Sequence, residues 1–140
     1  MEKIILFIAR YSVESIYSMQ AFLMGIGSND IDTEILLNGP AVLAMTSQFY
    51  NKFPKQDLEN EYTKAIIDEW AEGKVQNWID TLKMVKSNGR LKVYVCQPCI
   101  EAFQKKFGKL DILDVVDGKI NGIELFNKLK NDKDYLFLTL

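Results

Sequence analysis

The residues best suited to chemistry are two cysteines, Cys96 and Cys99, in the string Val95-Cys96-Gln97-Pro98-Cys99. A deprotonated cysteine is both a nucleophile and a metal ligand. Two thiols cannot build a four-thiolate zinc site alone. The 140 residues contain no histidine, which removes Ser-His-Asp and Cys-His catalysis and histidine-ligated metals within one chain. No metal or cofactor is expected. The chemistry this leaves is that of sulfur itself: attack of a thiolate on another sulfur, or dithiol–disulfide exchange.

The elements around the pair give it a position. Leu91, Val93 and Val95 alternate with Lys92 and Tyr94, the pattern of a strand. Cys96 follows at once. Gln97 and Pro98 open a helix, because Pro is favoured at the first helical position. Ile100, Phe103 and Phe107 make one apolar face, and Gly108 suits the residue that ends the helix. Cys96 is therefore expected at the C-terminal edge of a strand, beside a helix N-terminus. Unpaired N–H groups there favour a thiolate, so a pKa below that of a free thiol is expected. Cys99 falls in the first helical turn, in reach of a sulfur carried on Cys96.

Strands and helices alternate along the rest of the chain. Residues 3–9 are a nearly continuous apolar run, as in a central strand buried on both faces. Ser12 is a candidate N-cap for a helix marked by Ile16, Met19, Leu23 and Ile26 and ended by Gly25 and Gly27. Residues 32–37 form a second strand. Asn38-Gly39-Pro40 turns the chain into a helix expected over residues 41–50. Residues 52–59, with Pro54, are expected as a loop. Tyr62, Ile66 and Trp70, then Val75, Trp78, Ile79, Leu82 and Val85, give two amphipathic helices broken near Gly73. The two tryptophans are weighed as core. Residues 115–120 suit either a hairpin with an Asp-Gly turn or a turn into one short strand around residues 119–121. Asn121 and Glu124 resemble a capping box. Residues 135–138 form a last strand. The order predicts one domain over residues 1–140, a three-layer α/β/α sandwich with a mainly parallel five-stranded sheet.

Charge and composition exclude several classes. Seventeen basic against nineteen acidic residues give a net charge of −2, without the basic bias of a nucleic-acid binder. No stretch is long and apolar enough to span a membrane. The apolar run from Ile4 to Ala9 is too short for the core of a signal peptide. A domain of this size needs no disulfide scaffold, so a cytoplasmic location is expected. Residues 15–29 and 35–51 contain no charge at all. A helix on the outside of a sheet normally keeps a charged face. Either small polar residues serve instead, or these segments are covered by another subunit, where charge is depleted. The second reading is preferred.

The Cys-x-Pro-Cys motif invites a thioredoxin reading. That fold has its motif after an early strand and a proline downstream beside it, whereas no proline follows Cys99 here. The chain resembles instead the DsrE/DsrF-like family of sulfur-relay proteins, which includes the TusD sulfurtransferase subunit. The resemblance rests on the early strand of residues 3–9 before a small-residue helix and on Val93-Tyr94-Val95-Cys96-Gln97. It rests also on Asp117-Gly118, on Gly122 opening a helix and on the last strand. It leaves out residues 51–74, a helical insertion longer than in compact members. It implies that Cys96 carries sulfur as a persulfide, that donor and acceptor partners are proteins or small sulfane-sulfur species, and that the chain forms a homotrimer or homohexamer.

Arg10 and Gln97 are candidate binding residues. Arg10 follows the first strand and is expected at the same sheet edge, where ligands of open α/β sheets bind. It can stabilise an anionic sulfur species or make an ordinary surface ion pair. Cys99 departs from a one-cysteine carrier and can either resolve a persulfide on Cys96 or simply pack. Three functions stand: a sulfur carrier or sulfurtransferase using Cys96, a dithiol redox protein using both cysteines, and a non-catalytic oligomeric binding protein with inert thiols.

Overall fold

A computed structural model describes residues 3–74, 76–131 and 134–140. Among these, five strands form one sheet: β1 (Lys3–Ile8), β2 (Asp32–Leu37), β3 (Leu91–Cys96), β4 (Gly118–Ile120) and β5 (Tyr135–Thr139). The spatial order is β4-β3-β2-β1-β5, and every pair is parallel. The helices are α1 (Val13–Gly27), α2 (Lys55–Glu59), α3 (Glu61–Ala71), α4 (Trp78–Lys86), α5 (Gln97–Phe107) and α6 (Gly122–Asn131), with a 3-10 helix over Gly39–Met45. The expected α/β architecture is observed, with helices on both faces of the sheet.

Strand alternation sorts the side chains into two layers. Ile4, Leu6, Ile8, Ile35, Leu37, Val93 and Val95 form one core with the apolar faces of α1 and α4, the 3-10 helix and Ile100 of α5. Ile5 and Leu36 are also buried but point to the opposite face, which α6 crosses. Helix starts follow the expected chemistry. Ser12 Oγ accepts the Ser15 N–H, and Asn60 and Asn77 cap α3 and α4. Asn121 Oδ1 accepts the Glu124 N–H at 2.9 Å, one half of the expected capping box.

Three expectations need correction or resolution. The helix expected over residues 41–50 is a 3-10 helix that stops at Met45. Thr46 leaves it to form an antiparallel bridge with Ile112, and its hydroxyl bonds back to Leu43 O at 2.8 Å. Such local side-chain bonding by threonine competes with helix continuation. Lys55–Glu59, expected as loop, forms the short α2 after Pro54, whose carbonyl accepts from Asp57 and Leu58. The ambiguous Asp117-Gly118 region resolves as the single strand β4, parallel to β3. Val75, read as part of a helix face, lies outside the described residues.

The uncharged segments divide. Ile35 to Leu37 and Ala41 to Thr46 are buried inside the subunit itself, which accounts for their lack of charge. On α1, by contrast, Tyr17, Phe22 and Met24 are exposed.

Candidate functional site: the junction of strand β3 and helix α5

Cys96 is both the last residue of β3 and the N-cap of α5. Its backbone is extended, and its Sγ accepts the Cys99 N–H at 3.4 Å. The thiol thus takes the role a serine or aspartate usually fills at this position. Pro98 in the first turn needs no hydrogen-bond partner for its nitrogen. Ile100, 1% exposed, fastens the helix to the core. Phe107 packs between Phe103 and Phe49, with Phe49 at 5.0 Å between ring centroids. Gly108 ends the helix at φ +84°, a conformation that costs glycine least.

The expected depression of the Cys96 pKa is not found. Burial pushes the thiol up to about 11, and the neighbouring Cys99 side chain adds to the rise. The Cys99 N–H works in the other direction but is outweighed. That one N–H group does favour the thiolate, but the cost of removing a thiolate from water is larger here.

Cys99 points toward the end of β2. Its Sγ donates to Asn38 Oδ1 at 3.5 Å and accepts the Gly39 N–H at 3.3 Å. Gly39 has φ +54°, and a Cβ there would lie 3.5 Å from Ala9 O. The positive φ aims its N–H at the sulfur, a backbone geometry that favours glycine. The Thr46–Ile112 bridge and the Leu113 N–H to Met45 O bond, 2.8 Å, tie the 3-10 segment to the chain that follows α5. Asn38 was not singled out from the sequence. Its signal was an Asn-Gly-Pro turn directly after a strand, at the edge where Cys96 also lies.

A cavity of about 30 Å³ adjoins Cys96. Phe7, Leu36, Asn38, Ile120, Gly122 and Leu125 are among its walls. It has room for one or two atoms of water size. The start of α6 forms one side, and α6 is held across the sheet by Lys128. That ammonium bonds Glu34 Oε1 at 2.6 Å and lies 5.1 Å from the centroid of the Tyr94 ring.

The other predicted residues lie apart from this cavity. Arg10 is exposed just beyond β1, in clefts shared with Glu14, Pro40 and Asp57, and is not in the cavity wall. Gln97 is exposed and donates to Glu101 on the outer side of α5, at 3.1 Å. A larger cavity, about 320 Å³, lies between Tyr50, Phe53, Trp70 and Trp78, with neither cysteine in its wall. Trp78 is buried core, as expected, while Trp70 is half-buried and donates to Gln20 Oε1 at 3.2 Å. No group of three or more potential metal ligands occurs among the described residues, and no helix there is long and apolar enough to cross a membrane.

A model of the DsrE/DsrF-like family matches residues 2–138. No curated protein matches the chain. Among solved structures, the YchN protein from E. coli is similar over 100% of both chains, with a TM-score of 0.64 and 18% identity. At that identity the likeness speaks for the fold.

Proposed function

The chain belongs to the DsrE/DsrF-like family, and we propose that it carries sulfane sulfur as a persulfide on Cys96. Family membership implies a general part in sulfur relay; the carrier and its residue are the proposal. One observation supports it above the rest: a thiol at a strand–helix junction, half exposed, with a cavity of atomic size beside it.

In the reaction, the Cys96 thiolate attacks the outer sulfur of a donor persulfide or polysulfide. The donor's S–S bond breaks, and its thiolate leaves with the electron pair. The sulfur then rests on Cys96 until an acceptor thiolate attacks it in the same way. A resting pKa of about 11 keeps the free protein as the thiol near neutral pH. Loading therefore speeds up when a partner's surface supplies a base or a positive charge at the site. Arg10 and Gln97, exposed near the same edge, belong to the surface a partner would meet. The segment of residues 51–74, which holds α2 and α3, shapes that surface further along. The setting proposed is a cytoplasmic homo-oligomer.

Intact mass after brief incubation with thiosulfate or polysulfide tests this reading. A gain of sulfur that dithiothreitol removes is expected. A second reading, dithiol–disulfide exchange, draws on the closeness of Cys99 to Cys96. It predicts loss of two hydrogens without any prior gain of sulfur.

A further inference from the structure

The carrier reading gives Cys99 no task, yet the residue is held from two sides. On one side lies Cys96, whose Sγ accepts the Cys99 N–H at 3.4 Å. The two residues are one turn apart, a spacing at which side chains on a helix are neighbours. On the other side lie Asn38 Oδ1 and the Gly39 N–H. Asn38 also forms part of the wall of the cavity beside Cys96.

We propose that Cys99 discharges a persulfide on Cys96 as hydrosulfide, and that the hydrogen bond from Cys99 to Asn38 restrains this discharge. The inference rests on the persulfide reading above. In the step, the Cys99 thiolate attacks Cys96 Sγ, the inner sulfur. A Cys96–Cys99 disulfide forms as the bond from Cys96 Sγ to the outer sulfur breaks. The outer sulfur leaves with the electron pair and keeps its proton, departing as hydrosulfide. The Cys99 proton goes to water. Cys99 is oxidised and the outer sulfur is reduced, so no external oxidant enters. An external dithiol then restores the two thiols.

The restraint follows from the hydrogen bond. The attacking species is the thiolate. Asn38 Oδ1 accepts the Cys99 S–H, so this hydrogen bond must break before the sulfur can give up its proton and turn onto Cys96. The Gly39 N–H holds the sulfur in place in either state. Asn38 is thus a positioning residue, one that acts on the persulfide through Cys99.

The test is a single-turnover measurement. Protein is loaded with polysulfide, freed of excess, and followed without added thiol by hydrosulfide release and intact mass. Wild type should lose its added sulfur as the Cys96–Cys99 disulfide appears. Cys99→Ser should keep the sulfur and release no hydrosulfide. Asn38→Ala should discharge about fivefold faster, the effect of losing one ordinary hydrogen bond. Asn38→Asp keeps the size and an acceptor oxygen, adds a negative charge that opposes the thiolate, and should discharge more slowly than wild type. It carries the test if the alanine variant does not fold. Release from Cys99→Ser at the wild-type rate would overturn the inference while leaving the persulfide reading intact. So would an Asn38→Ala rate at or below wild type, or an Asn38→Asp rate at or above it. Failure of Cys99→Ser to gain any sulfur would overturn both.

Discussion

Asp117 and Val93 are joined twice: Asp117 Oδ2 accepts the Val93 N–H at 2.8 Å, and the Asp117 N–H donates to Val93 O at 2.8 Å. The same carboxylate oxygen lies 2.5 Å from Lys86 Nζ. One side chain thus ties the approach to β4 and the end of α4 to the strand that carries Cys96. Burial works against the charged form and is the largest single influence. The Lys86 ammonium, the Val93 N–H and Lys92 together still hold the carboxyl below the usual range. Asp117→Ala should lower stability by about 1.5–3 kcal/mol, the range for hydrogen bonds to a charged group. Urea denaturation reads it. A carboxyl depressed in the folded state stabilises above its unfolded pKa of about 3.9 and loses that contribution as pH falls. The gap between wild type and Asp117→Asn should therefore shrink in acid. A gap that does not change with pH would count against the ion pair.

Alkylation of Cys96 in the free protein should rise with pH toward an apparent pKa of about 11, above the ~8.5 of an ordinary thiol. Cys99→Ser should lower that value, because the Cys99 side chain contributes to the rise. It should not bring it fully to the ordinary value, because burial is the larger cause. Iodoacetamide reactivity at Cys96, resolved by peptide mass, makes the measurement. An apparent pKa below the ordinary thiol in wild type would refute the dominance of burial.

The outer side of α1, with Tyr17, Phe22 and Met24 exposed and no charge from Ser15 to Asn29, is the surface on which a second copy is expected. A trimer or hexamer should be seen by light scattering at micromolar concentration. Phe22→Lys, at a side chain 40% exposed, should dissociate it and leave the circular dichroism unchanged. The matching change at Ala44, which is wholly buried, should unfold the subunit instead. A monomeric wild type would contradict the expectation.

The strand–cysteine–helix unit was legible because its signals are local. Alternating β-branched residues, Pro98 and Gly108 each act within a few positions, and β3 and α5 end where these residues direct. The parallel order of the sheet followed from alternating elements. What was not legible depended on distance. Cys99 meets Asn38, 61 positions earlier, because the 3-10 segment and α5 pack together. Thr46 leaves its helix for Ile112, a partner no local pattern names. The direction of the Cys96 pKa is hidden from the sequence for the same reason. A helix N-terminus is visible in sequence, but the burial that outweighs it depends on how distant elements pack around the thiol. In the uncharged run after Ile35, residues 35–37 and 41–46 are explained by burial in their own subunit.

The central claim, sulfur carried on Cys96, is tested most directly in the Cys99→Ser background, which lacks the thiol proposed to discharge it. This protein and the Cys96→Ser, Cys99→Ser double variant are treated briefly with polysulfide, and their intact masses are compared before and after dithiothreitol. The single variant should gain one sulfur that reductant removes, and fragmentation should place it on Cys96. The double variant should gain none. Equal gain in both proteins, or no gain in either, would contradict the account.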